Sequence, residues 1–175
     1  MKKSLIRCAL VLAAAQFLAG AAEHTKTFRW IGGKMTDTEY LIRRSNPKDS
    51  VVHDVYMTCK RGDADIRVNF VTSPLGGYTN EELAKDGKRL PQKAVFFVDY
   101  KRVDEIDVLL GQDEAFADNE YGINVELEMT RSDALFKAMQ KGKTLRFELP
   151  RAKSHVIPLG PFASMARAMV SHCKL

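Results

Sequence analysis

The sequence predicts a mainly β domain with an α+β fringe: a small antiparallel β-sandwich or partly open barrel with two short helices, the C-terminal one linked to the sheet by a disulfide. Three observations predict it. Apolar and polar residues alternate in several short runs, the period of a strand with one wet face. One stretch near the C-terminus repeats its apolar residues at helical spacing instead. Two of the three cysteines, Cys59 and Cys173, fall at the end of one such strand and at the end of that helix.

The chain begins with a leader. Lys2, Lys3 and Arg7 precede an apolar stretch from Cys8 to Ala19, broken only by Gln16. Ala19-Gly20-Ala21 then offers the small-x-small arrangement that signal peptidase accepts. The apolar stretch is short of the about 20 residues that a membrane span needs. Residues 1–21 are therefore expected to be a cleaved signal, cut after Ala21 or Ala22. Residues 22–175 are expected to form a single exported β-rich domain, not membrane-spanning after cleavage. Cys8 precedes the apolar stretch rather than closing it, which argues against lipid attachment and leaves two cysteines after the cut.

Excision also changes the charge. The full chain carries 27 basic and 22 acidic residues, a net charge of +5. Three of those basic residues lie in the leader, so most of the excess is a targeting feature. The near balance that remains argues against nucleic acid as a partner, which needs a concentrated basic face. Export implies an oxidising compartment, where two cysteines pair. A CxxC redox pair and a dense ligand cluster are both absent from the sequence. A Cys59–Cys173 bridge closes a loop of more than a hundred residues, worth roughly 4–5 kcal/mol against the unfolded chain.

The elements follow in order. Phe28, Trp30 and Ile31 precede Gly32-Gly33 and read as the start of a strand. The polar stretch from Arg43 to Ser50 is rich in turn formers and reads as a connection. In 51–59, Val55, Met57 and Cys59 share one side of an extended chain. Lys60-Arg61-Gly62-Asp63 turns it, and Ile66, Val68 and Phe70 alternate with Asp65, Arg67 and Asn69. A short charged link between two such runs predicts an antiparallel hairpin. Residues 73–92 read as a loop, with one helical turn at Glu81–Ala84. Val95–Val98 is a run of β-formers, Asp99–Arg102 reverses the chain, and Val103 to Val108 returns. The segment from Gly111 to Asn119 reads as a solvated connection.

Ile123, Val125, Leu127 and Met129 make another half-buried strand. Thr130, with Asp133 in the capping-box place, predicts a helix whose stripe is Leu135, Phe136 and Met139. Gly142 stands where a left-handed stop belongs. Leu145, Phe147 and Leu149 form a strand closed by Pro150, and His155 to Ile157 a last short one. Phe162, Met165, Ala166, Met169, Val170 and Cys173 then fall on one helical face. The sum is six to eight strands and two short helices.

Chemistry is harder to find. His53, His155 and Asp54 would have to converge to hold a metal, and nothing in their spacing requires it. His172 reads as a surface residue of the last helical turn. Ser164 and Ser171 lack a nucleophile-elbow pattern, and disulfide pairing removes the thiols. Asp113, Glu114, Asp118 and Glu120 do not follow the regular calcium loop. No cofactor or metal is expected. The aromatic residues are the remaining candidates. Phe96 and Phe97 are consecutive, so in a strand they face opposite ways. Tyr78, Phe96, Phe97 and Tyr100 are the candidate partner contacts, in the loop 73–92 and the segment 95–102.

Two stretches carry a resemblance. They are VYMTCKRGDADIRVNF, residues 55–70, and the ending LGPFASMARAMVSHC, residues 159–173. The ending resembles the close of the invasion-associated locus B family of bacterial envelope proteins. There a strand leads into a glycine-phenylalanine start, an alanine-rich helix and a final cysteine. Here Pro161 stands between Gly160 and Phe162. The resemblance covers about a quarter of the chain and transfers the cysteine-closed ending only as structure. It implies an exported protein of β-sandwich type, with a role in envelope function or host contact and without a known catalytic centre.

The expected function is therefore that of a non-enzymatic periplasmic or secreted protein that binds another protein or an envelope component. The alternative is a small periplasmic hydrolase acting on cell-wall or carbohydrate material. A histidine or acid cluster in a deep concave pocket would favour the alternative.

Overall fold

The computed structural model describes residues 28–46, 49–72, 77–84, 89–113, 122–152 and 154–175. The expected leader lies outside the described residues. The chain forms strands β1 (Arg29–Lys34), β2 (Glu39–Asn46), β3 (Asp49–Lys60) and β4 (Asp65–Thr72), then the short helix α1 (Asn80–Ala84). Strands β5 (Leu90–Val98), β6 (Lys101–Asp113) and β7 (Gly122–Thr130) follow. Helix α2 (Ala134–Lys141), strands β8 (Thr144–Glu148) and β9 (His155–Pro158) and helix α3 (Phe162–Cys173) complete it.

Among the described residues all nine strands belong to one antiparallel sheet, ordered β1-β2-β3-β4-β7-β6-β5-β8-β9. The sheet is open and curled, the partly open barrel among the sequence-derived arrangements. The chain meanders from β1 to β4, skips two positions, and fills them backwards with β6 and β7. Its edge strands come close without a backbone ladder: Trp30 Nε1 on β1 donates to the Pro158 carbonyl on β9 at 2.8 Å.

The alternation read from the sequence puts its apolar residues inward. Phe70, Phe96 and Phe147 pack together from β4, β5 and β8, with ring centroids 5.3–5.9 Å apart. Helix α3 packs on β1, β2 and β3, α2 packs on β5 and β6, and the two helices touch each other. Phe162, Ala166, Met169 and Cys173 form the buried stripe of α3. The disulfide joins Cys59 to Cys173 across 114 positions, with 6.2 Å between the Cα atoms. An amphipathic helix has little stability alone. Covalent attachment to β3 holds the stripe of α3 over the sheet.

Several local expectations are corrected. The stretch from Arg43 to Asn46 is not a turn but the end of β2, because Arg44 turns inward to a buried partner. Strand β5 starts at Leu90, not Val95. Pro91 is tolerated there because β8 pairs only with Val95–Val98, which leaves one side of the proline free of a ladder. Strand β6 runs from Lys101 to Asp113, so Lys101, Arg102 and the residues from Gly111 are strand. Helix α2 begins three residues later than a Thr130 cap requires. Asp133 is its N-cap, and the Asp133 carboxylate accepts from Thr130 N–H and Oγ1 in the turn before it. Gly142 is extended rather than left-handed, with φ −86°. The left-handed cap belongs to Lys174, after α3.

Candidate functional site

Two constellations hold groups in unusual places, one inside the sheet and one outside it. The inner one starts at the irregular pairing of β2 with β3 between Arg44 and Asn46. Arg44 on β2 is 2% exposed and Asp54 on β3 is 1% exposed. The Arg44 guanidinium donates to Asp54 Oδ2. Burial draws the Arg44 pKa below its ordinary value, while the charge and hydrogen bond of Asp54 draw it back up. His155 on β9 brings Nε2 to 3.8 Å from the same carboxylate oxygen, beyond hydrogen-bond reach. Phe147 lies against its ring, and Phe28 lies against Arg44. Among the described residues Asp54 Oδ1 and His155 Nε2 have no hydrogen-bond partner.

This cluster draws β2, β3 and β9 together. A general base must reach the proton it abstracts. Here the carboxylate is engaged by a buried cation, and neither of the two cavities described below reaches it. The arrangement holds three strands to one another. Among the described residues no group of three or more side chains could hold a metal ion. The side chain of His53 lies outside the described residues, as do those from Asp113 to Glu120.

The outer constellation is the β5–β6 hairpin. Val98 pairs with Lys101, so the reversal uses only Asp99 and Tyr100. Their φ angles are 48° and 67°. Positive φ at both central residues is what the tight hairpin turn compatible with strand twist demands, and asparagine or glycine usually supplies it. For a bulky residue such as tyrosine the conformation is strained by about 1–3 kcal/mol.

The surroundings over-determine it. Asp99 Oδ1 accepts from Lys143 N–H at 2.9 Å, Thr144 N–H at 3.0 Å and Thr144 Oγ1 at 3.2 Å. Asp99 N–H donates to the Thr144 carbonyl. The Lys143 and Thr144 amides hold the Asp99 carboxyl below its ordinary pKa. Gly142 lets the chain after α2 lie directly on the hairpin, since a Cβ there would run into Val98 Cγ1. Tyr100 is left projecting, 87% exposed, with Lys101, Lys141 and Lys143 also exposed at this tip.

Two open cavities accompany these groups. One of about 590 Å³ lies over β5 and β6, between Pro91, Lys93, Asp107, Leu109 and Pro150. The other, of about 340 Å³, lies at the β1–β2 and β3–β4 turns, lined by Met35, Glu39, Lys60, Asp63, Asp65 and Arg67 among others.

The four aromatic candidates separate. Tyr100 is exposed, and Phe97 is half-buried on the outer face beneath the Arg146 guanidinium, 4.0 Å from its ring centroid. Phe96 is 0% exposed and Tyr78 is 3% exposed, so neither offers a surface for contact. Phe96 takes the inward side of β5. Tyr78 is covered by Arg151, whose guanidinium stands 4.1 Å over the ring and pairs with Glu82. Glu82 also completes a reciprocal cap with Thr79 at α1. That Thr-x-x-Glu spacing was present in the sequence as the signal for the helix.

Sequence reasoning missed Arg44, which lay in an apparent turn, and set aside the convergence of His155 with Asp54, which the structure brings to 3.8 Å. His172 is half-buried against Tyr40 rather than free on the surface. No family model matches the chain, and neither a curated protein nor a solved structure does. Among the described residues no helix is long and apolar enough to cross a membrane.

Proposed function

We propose that this is a non-enzymatic exported protein of the bacterial envelope that binds another protein or an envelope component, with host contact as one setting. The observation that carries this reading is Tyr100. A large aromatic side chain stands 87% exposed on a backbone conformation that disfavours it, held there by Asp99 and the chain after α2. Strain of this kind persists where the surroundings impose it, and it clusters at ligand clamps and switch regions. Tyrosine is among the residues that dominate binding energy when a partner encloses it. The enclosed state of the histidine and acid cluster supports the same reading over the hydrolase.

The test is affinity capture from the native envelope with the mature protein and its Tyr100→Ala variant, analysing proteins, lipids and glycans. The expected result is a retained macromolecule whose recovery falls with the variant. Retention of no macromolecule, together with turnover of a small substrate, would overturn the reading.

A further inference from the structure

The hairpin tip and the smaller cavity lie at the same end of the sheet. Asp65, which lines the cavity, pairs with Thr130 at the end of β7. Helix α2 starts four residues later and leads to Gly142, against Val98 at the hairpin. Its eight residues therefore cross this end of the sheet, about 12 Å at 1.5 Å per residue, from the side of the cavity to the side of the tip.

The two features are complementary. Among the described residues five large apolar side chains are exposed, and the two most exposed are Tyr100 at 87% and Met35 at 50%. Tyr100 is the tip and Met35 lines the cavity. Lysines stand beside the tip at 101, 141 and 143, whereas Glu39, Asp63 and Asp65 line the cavity. Of the cavity's two cations, Arg67 lies within 3.7 Å of Glu128. The volume of about 340 Å³ falls within the range of roughly 300–1,000 Å³ that seats small organic groups.

Resting on the reading of Tyr100 as a partner contact, we propose that the partner is a second copy of this chain. Two copies meet end to end about a two-fold axis, and each inserts Tyr100 into the other's cavity, against Met35. The lysines of one tip face the carboxylates of the other cavity. Because both surfaces occupy one end of the sheet, the contact is reciprocal and closes at two copies instead of propagating. Sulfur–aromatic contact and burial of the ring supply the apolar part. The lysine–carboxylate part is exposed at the rim and therefore screened by salt. Two small contacts of this kind make a weak, concentration-dependent dimer rather than an obligate one.

Sedimentation velocity of the mature protein, from micromolar to near-millimolar concentration, tests this directly. The expected result is a reversible monomer–dimer equilibrium that weakens with added salt. Tyr100→Ala and Met35→Lys should each weaken association by about tenfold or more. Mixing the two variants should restore part of it, because one finger then meets one intact cavity. Both side chains are exposed, and circular dichroism of each variant verifies that the fold is kept. A protein that stays monomeric throughout would overturn the proposal. So would a dimer indifferent to both substitutions, or a mixture that associates no better than either variant alone. If the chain is monomeric while envelope capture still depends on Tyr100, the second copy is the wrong partner and the binding reading stands. If capture also ignores Tyr100, both fall.

Discussion

Arg44 and Tyr100 each occupy a place their residue type ordinarily avoids. Arg44 is a cation inside the sheet, and its cost is desolvation. Tyr100 is an aromatic residue outside it with a left-handed backbone, and its cost is strain. Each depends on one aspartate: Asp54 neutralises the guanidinium, and Asp99 ties the hairpin to Lys143 and Thr144. The difference lies in what remains available. Inside, both charges are engaged and His155 completes a contact among three strands. Outside, the aspartate is engaged by Lys143 and Thr144 and the tyrosine is left 87% exposed. The molecule thus keeps a buried ion pair inside the sheet and leaves a strained aromatic side chain exposed outside it.

The largest expected effect breaks the inner half of this comparison. Asp54→Ala breaks the buried pair by removing the carboxylate to which Arg44 donates inside the sheet, and should cost about 3–5 kcal/mol, read as a lower urea midpoint. Replacing both partners, Arg44→Met with Asp54→Leu, should recover most of that loss, because breaking one half of a buried pair costs more than exchanging both halves for apolar side chains. Equal loss in the single and double variants would mean that the pair has a positive role beyond neutralisation.

Gly142→Ala attacks the outer half through its support. The added methyl group would meet Val98 Cγ1, so the chain after α2 must shift away from the hairpin. The expected loss is about 1–3 kcal/mol, the usual cost of overpacking. It should be accompanied by faster hydrogen exchange at Lys143 and Thr144, whose amides bond Asp99. Unchanged exchange at those two amides would detach the tip from α2.

Acid should loosen the same place. The Asp99 carboxyl is held below its ordinary value, so its folded form favours the charged state. The anchoring contribution is complete above the ordinary carboxylate pKa, about 4, and is lost as pH falls through the lower folded value. An acid titration followed by amide resonances should show Lys143 and Thr144 moving together. Asp99→Asn should abolish that transition.

How much of this was legible depends on how far apart the partners lie in the chain. The β3–β4 hairpin and α3 were readable because alternation, a four-residue turn and a helical stripe are local signals. The disulfide was readable because the two cysteines had no other role. Strand β2 was hidden because Arg43-Arg44-Ser45-Asn46 resembles a turn until Asp54 supplies the reason for Arg44 to point inward. The start of β5 was hidden because Pro91 argues against a strand, and only the short reach of β8 explains its tolerance. Parity showed that Phe96 and Phe97 face opposite ways, but which one faces the core depends on where β8 and α2 lie. Tyr100 was recognisable as a residue of a reversal. Its exposure depended on narrowing that reversal to two residues, which is set by the anchoring of Asp99 across more than forty positions of chain.

The smallest effect is the most discriminating, because it should move stability and binding in opposite directions. Tyr100→Gly removes a Cβ from a φ of 67°, a conformation that glycine adopts without strain. The side chain it deletes is 87% exposed and contributes little packing to the isolated chain. Relief of strain should therefore exceed lost contacts and the greater freedom of glycine in the unfolded state, raising stability by about 1 kcal/mol. The thermal midpoint should rise while association and envelope capture fall. A loss on both readouts would make Tyr100 a structural residue of the hairpin. A gain in stability with binding intact would move the partner surface elsewhere on the molecule. Only the opposed pair of changes is what a strained residue kept for contact must give.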